Sequence, residues 1–384
     1  MLRTKNALLF WRWLFGISVV GLVGLGVVML YSTSSATDGE AYLKKQVQWL
    51  AVGGVFGFMA YLVGYRWFCR WRWWLLFAGI VPVAYLGIAH TFPTLSLPCA
   101  PSINGAHRWL SIGGQSVQPS EFAKLAVVLF LAGYYGAKPH FAARFRTWWK
   151  PVLGVGVLIG SIVLQRSLSV TVICSMLLIM MMFLAGLQLR YVLGGLIGVV
   201  CIVIVMSFLS TNVKDRLNWW KEPGYQLKLS LIALGSGHWT GVGINNSRMK
   251  EAYLPEKHTD FIVSIIGEEL GFVAVVSVIL LYLLLGASAF GISAATPDAT
   301  GQLAASGLGL MLWLPSFVHI GVVVGALPTT GIAAPLLSYG GSTTLVSSIA
   351  IGLLLSVARE SLRVMDENPQ PKPREPVRTE MVPA

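Results

Sequence analysis

Charge is what this sequence has least of. Only 11% of its 384 residues are Asp, Glu, Lys or Arg, while 55% are hydrophobic. An ordinary soluble domain carries about 25% charged residues. A soluble globular chain is therefore excluded, and no loop is long enough to bury a core of its own. Acids are scarcer than bases, 16 against 28, which leaves a net charge of +12. That excess does not imply a nucleic-acid partner, because the basic residues sit in short clusters between apolar runs, where membrane topology places them.

Cysteine is scarce as well. Cys69, Cys99, Cys174 and Cys201 have no metal-ligand spacing, and the topology below puts two in apolar spans and two on opposite sides of a membrane, so no disulfide is expected. The six histidines form no HExxH and no Cys/His cluster, which leaves a structural zinc site without support. No repeat of fixed period is present.

What is abundant is long apolar sequence. Runs near 14–31, 47–64, 74–91, 121–137, 151–165, 168–186, 191–210, 261–286, 302–326 and 342–358 predict an all-α protein with ten transmembrane helices. Residues 151–186 would be about 54 Å long as one helix, against a hydrocarbon core of about 30 Å, so the chain is expected to fold back at Gln165-Arg166-Ser167. The first run is too long for a signal-peptide core and reads as an uncleaved span, with cleavage after Ala36 as the alternative.

With the N-terminus inside, the cytoplasmic segments hold 16 Lys and Arg against four in the short outer loops. Both termini are then cytoplasmic, and the large loop 211–260, between the seventh and eighth spans, lies outside. This loop mixes seven bases with five acids and reads as a working surface. The Pro-rich, charged tail, 362–384, is expected to be disordered, following a membrane domain over 1–361.

Polar chemistry concentrates in three outer segments. In NGAHRWLSIGGQSVQPSEFAKL (104–125), Asn-Gly and Gly-Gly mark turns and Pro119 opens a helix. Glu121 falls in the first turn, where the helix dipole favours an anion, and Lys124 follows on the same face. The two fit a buried ion pair or the charged wall of a polar cavity equally well. Arg108, beside Trp109, reads as an interfacial anchor or as a phosphate ligand.

The second segment holds GYQLKLSLIALGSGHWTGVGINNS (224–247). Its first part suits an amphipathic surface helix, and its glycines match no phosphate-loop signature. It continues into KEAYLPEKHTDFIVSIIGEELGF (250–272), where Asp260 stands at the start of an apolar run. If a helix begins near Thr259, then Asp260, Ser264 and Glu268 form a polar stripe along one face. Asp260 is the first candidate for chemistry; the alternative is a helix-terminal charge, with Thr259 or His258 capping. Glu268 and Glu269 suit packing or ion pairing. The third segment, GALPTTGIAAPLLSYGGSTT (325–344), is rich in Gly and Pro and reads as a re-entrant loop, with Ser338 and Tyr339 offering hydrogen bonds.

In this order, QPSEFAKL, GYQ, LPEKHTDFIVSIIGEELGF, LPTTGI and PLLSYGGS resemble the SEDS family of shape, elongation, division and sporulation proteins, over residues 14 to 361. The resemblance implies a peptidoglycan glycosyltransferase of the bacterial cytoplasmic membrane that polymerises lipid II, working with a class B penicillin-binding protein and other division or elongation proteins. It implies that Asp260 is the base for the acceptor hydroxyl. Arg108, Lys124 and Lys250 are implied pyrophosphate ligands, and Glu121, His258 and Ser338 complete the binding set. A divalent cation is a possible cofactor, with no ligand set assigned. One departure stands out. Where the family has an acidic turn, this chain reads Gln165-Arg166-Ser167. A lipid II flippase and a non-catalytic scaffold are the competing functions.

Overall fold

The computed structural model describes residues 4–35, 41–92, 94, 97–102, 106–137, 145–209, 213–216, 218, 224–252 and 258–367. Long helices occupy each of the apolar runs: α1 (Lys5–Ser35), α2 (Ala41–Val63), α4 (Arg72–Thr91), α5 (Pro119–Gly136), α6 (Phe145–Leu164), α7 (Leu168–Leu184), α8 (Leu189–Leu209), α11 (Ile262–Ala295), α12 (Ala299–Val323) and α13 (Gly341–Glu367). Short helices α3 (Tyr65–Arg70), α9 (Tyr225–Ser236) and α10 (Met249–Ala252) lie in the connections. Among the described residues, seven of these helices (α1, α2, α4, α8, α11, α12 and α13) are long and apolar enough to cross a membrane.

Among the described residues the bundle is helical apart from one hairpin, which the all-α reading did not contain. Strands β1 (Leu110–Ile112) and β2 (Gln115–Val117) pair antiparallel, Leu110 opposite Val117. Gly113 and Gly114 both take positive φ, 58° and 78°, the backbone that a two-residue hairpin turn of primed type requires.

Helix α5 starts at Pro119, whose missing N–H costs nothing in the first turn. It is buried along nearly its whole length, packed among α4, α7 and α12. Around this centre, α1 packs on α11 and α2 on α13. The second of these contacts is very close: a Cβ on Gly352 would overlap the Gly57 carbonyl, so small residues set the crossing. The chain does turn back between α6 and α7. Gln165 anchors that turn by donating to the Val83 carbonyl at 2.7 Å, and Arg166 takes a left-handed φ of 52°.

Two expected boundaries move. Helix α13 runs on to Glu367, where Arg363 pairs with Glu367 at 2.9 Å and Lys5 with Asp366 at 2.6 Å, beyond the membrane-domain limit read at 361. The rest of the tail read as disordered, from 368 on, lies outside the described residues.

Helix α11 begins at Ile262, after a turn over 258–261, and not near Thr259. Neither Thr259 nor His258 caps it; Phe261 stands at the N-cap with no side-chain cap bond. The expected polar stripe is therefore divided. Asp260 precedes the helix, Ser264 meets the Ser230 hydroxyl of α9 at 2.7 Å, and Glu268 turns to the loop over 247–248. Ser230 also donates to the Val323 carbonyl at 2.9 Å, tying α9 to α12.

The helix then breaks at Gly271 (φ 76°, ψ −174°). A break in a buried helix orphans backbone groups, which must find partners. The glycine-rich run supplies them. Val242 and Gly243 donate to the carbonyls of Glu268 and Glu269 at 2.9 Å each, while Phe272 donates to the His238 carbonyl at 2.9 Å. A Cβ on Gly237 would overlap the Gly267 carbonyl, and one on Gly241 the Glu269 carbonyl. These glycines therefore serve close backbone docking.

Candidate active site

A cavity of about 790 Å³ opens at the end of the bundle where the hairpin lies. The start of α2 and five connections meet there: the hairpin leading into α5, the α6–α7 turn, the segment before α9, the segment before α11, and the segment 324–340 before α13. Asp260, Arg108, Glu121 and Lys124, four of the residues singled out from sequence, line it together. Lys45 and Arg216 line it as well.

Lys124 donates to Glu121 across 2.8 Å, and both side chains are almost wholly buried. The pair is an ion pair and a cavity wall at once, so the two readings of these residues coexist. Arg108 donates from Nη2 to the Arg166 carbonyl at 2.8 Å, using the turn as a bracket. Its Nε is buried with no hydrogen-bond partner. Burial holds the Arg108 guanidinium below its ordinary pKa, and neighbouring Arg216 pushes the same way. Two desolvated cations facing one space make a site that gains by taking an anion.

Arg216 was not singled out in the sequence. It donates from Nη1 to the Thr330 carbonyl at 2.9 Å. Burial lowers its pKa, and the nearby Asp260 carboxylate opposes that shift. Thr330 O also accepts from Ser169 at 2.5 Å, so one carbonyl of the 324–340 segment ties α7 to Arg216. The next residue, Gly331 (φ 66°), lies beside both charges: a Cβ there would stand 3.4 Å from Asp260 Oδ2 and 3.7 Å from Arg216 Nη2.

Three expected ligands are not among the residues lining the cavity. The Lys250 ammonium is buried in an ion pair with Glu269 at 2.9 Å and also donates to Asn245 at 2.6 Å and Ser32 at 3.0 Å. It holds the loop against the break in α11. Ser338 accepts from the Ala334 N–H at 3.0 Å, closing a turn. His258 stacks on Tyr42, with centroids 4.5 Å apart, and its carbonyl accepts from the Tyr339 N–H at 3.0 Å, so it backs the wall formed by Tyr42 and Tyr339.

Among the described residues no three His, Cys, Asp or Glu side chains gather to hold a metal ion. The cavity's carboxylates are Asp260 and Glu121, the latter committed to Lys124. Among the described residues this set does not fit a protein-held divalent cation.

Two further spaces adjoin. A chamber of about 230 Å³ shares Arg216, Asp260, Thr330, Gly331 and Ile332 with the main cavity and adds Gln226 and His319. An apolar groove of about 930 Å³ runs along the other face of α5, lined by Phe122, Leu125, Ala126 and Leu129 with residues of α2, α3 and α4, and it reaches Leu110 and Val117 of the hairpin.

Fold and site define a multi-pass membrane protein with a charged cavity at one end and an apolar groove beside it. The chain belongs to the FtsW/RodA/SpoVE family of cell cycle proteins, whose model matches residues 12–363. A probable peptidoglycan glycosyltransferase FtsW of Nitrosomonas europaea is 35% identical over 366 residues, 90% of this chain and 92% of the relative. Stage V sporulation protein E of Bacillus subtilis is 34% identical over 88% of this chain and 94% of its own length. A chain from a peptidoglycan synthase complex that coordinates polymerization and crosslinking superposes with a TM-score of 0.75 at 28% identity, covering 91% of this chain and 98% of that one. The rod shape determining protein RodA of Thermus thermophilus gives a TM-score of 0.68 at 28% identity, covering 91% and 97%.

Proposed function

We propose that this protein is a peptidoglycan glycosyltransferase of the bacterial inner membrane that polymerises lipid II, with Asp260 as the base. Glycosyl transfer from a lipid-linked pyrophosphate needs a group to take the proton of the acceptor hydroxyl, and cations to stabilise the departing pyrophosphate. The single observation that carries the reading is the convergence of Asp260 with Arg108 and Arg216 on one cavity, beside an apolar groove along α5. In this reading Asp260 accepts the proton as the acceptor oxygen attacks the anomeric carbon, and the bond to pyrophosphate breaks with its electrons. Arg108 and Arg216, with Lys45 at the rim, receive the charge. Lys124, tied to Glu121, sets the positive wall between them. The groove takes the polyprenyl chain.

Helices α5, α6 and α7 also cross the membrane in this reading, which gives ten spans and cytoplasmic termini. The positive-inside count supports that orientation, with the cavity on the outer face. Residues 1–361 make up the membrane domain, and α13 carries the chain past it to Glu367. A class B penicillin-binding protein is the transpeptidase partner, an assignment supported by the synthase complex that this fold resembles.

The test is strand synthesis by purified protein with lipid II and a cognate partner in detergent. Glycan strands form with the unaltered chain and are lost with Asp260→Ala. Strand synthesis that survives Asp260→Ala removes Asp260 as the base. Movement of lipid II across vesicles without polymerisation replaces the reading with a flippase.

A further inference from the structure

We propose that the small chamber behind Asp260 seats the sugar ring whose hydroxyl Asp260 deprotonates, and that His319 holds this ring by accepting a hydrogen bond at Nε2. The inference deepens the polymerase reading and rests on it.

His319 lies in α12 and is 1% exposed. Its Nδ1 is 2.8 Å from the Ile332 carbonyl. A carbonyl only accepts, so Nδ1 carries the hydrogen, and in the neutral ring Nε2 is left as an acceptor alone. Nε2 is buried and has no hydrogen-bond partner. Buried polar atoms are nearly always paired, so an orphan acceptor on a residue lining a cavity is a place where a ligand supplies the donor. Hydroxyl and acetamido N–H groups of a sugar are such donors.

The chamber suits one ring. Its volume of about 230 Å³ is several times the share of one water, roughly 30 Å³, and below the ~300 Å³ at which pockets take drug-sized ligands. One sugar ring fits these bounds, with the rest of the substrate in the main cavity it opens onto. Its walls are polar where a sugar needs them: Gln226 and Thr329 offer amide and hydroxyl groups, and Asp260 and Arg216 stand where the chamber joins the main cavity. A ring seated there presents a hydroxyl to Asp260, which lines both spaces, while Arg108 lines the main cavity alone. Ile332, which holds His319, lies two residues after Thr330, which holds Arg216, so one short segment braces both side chains.

The experiment compares His319→Leu, which removes the acceptor and the Ile332 anchor, with His319→Gln, which keeps an acceptor near the Nε2 position and loses the anchor. Both are measured beside the unaltered chain and Asp260→Ala, with thermal unfolding of each in detergent. The readout is strand synthesis against lipid II concentration. His319→Leu should raise the half-saturating lipid II concentration about tenfold with the maximal rate lowered less than threefold, and His319→Gln should recover most of that loss. His319→Leu within twofold of the unaltered chain overturns the proposal. Equal losses in both variants also overturn it, because the anchor alone then accounts for His319. Failure of the polymerase reading is separate: it shows as no strand synthesis by the unaltered chain, whereas strand synthesis that survives Asp260→Ala removes Asp260 as the base.

Discussion

Lys250 and Glu269 form an ion pair of 2.9 Å with both side chains out of solvent, across a loop and the break in a membrane helix. Glu269 also accepts from both Ser32 and the Ser247 N–H, so its charge is used by α1, by Lys250 of α10 and by the loop before α10. Lys250→Ala leaves that carboxylate buried and unpaired. The expected cost is about 3–5 kcal/mol of stability, read as a lower melting temperature in detergent. Replacing both partners, Lys250→Met with Glu269→Leu, should cost less than the single change. A double variant that melts as low as Lys250→Ala would show that the pair is not the source of the loss.

Gly331→Ala should separate activity from stability. The left-handed backbone costs a side chain about 1–2 kcal/mol, a modest loss in melting. The new methyl would touch both Asp260 and Arg216 where substrate must meet them, and strand synthesis should fall at least tenfold. Activity that drops only in step with melting would count against the closeness of these two charges.

Arg216→Ala should lower polymerisation by about 10²-fold or more, the scale on which one preorganised charge-stabilising group acts. Arg216→Lys should recover only part of it, since an ammonium cannot bridge the Thr330 carbonyl and an anion with a planar fork. Full activity in either variant would remove Arg216 from the site.

Gly241→Ala tests the docking of the glycine-rich loop. A methyl there meets the Glu269 carbonyl at a residue with φ 80°, and overpacking of this kind costs about 1–3 kcal/mol. Lower melting with an unchanged half-saturating lipid II concentration is expected. A selective rise in that concentration would mean that the loop binds substrate directly.

Ala78 is exposed and lines the apolar groove. Ala78→Trp should fill part of that space and raise the half-saturating lipid II concentration several-fold, with melting unchanged. Unchanged kinetics would place the lipid chain elsewhere.

Much of this architecture was legible in the sequence because a bilayer imposes a length on every apolar run. Asp260, Arg108, Glu121 and Lys124 were legible because a charge near lipid demands a reason. Arg216 was not. It sits in a loop where bases and acids alternate, and nothing in Lys214-Asp215-Arg216 says which of the three turns inward. Lys250 misled for a related reason: its partner, Glu269, is 19 residues away across a helix break that spacing does not reveal. His319 reads as an ordinary helix residue until the segment after Gly325 folds back over it.

Helix α5 turns Glu121 and Lys124 to one compartment and Phe122, Leu125, Ala126 and Leu129 to another. It is a partition between a wet room and an oily one, one helix thick. An amphiphile can straddle it like a rider on a rail, head on one side and tail on the other, and need not leave the bilayer to be worked on.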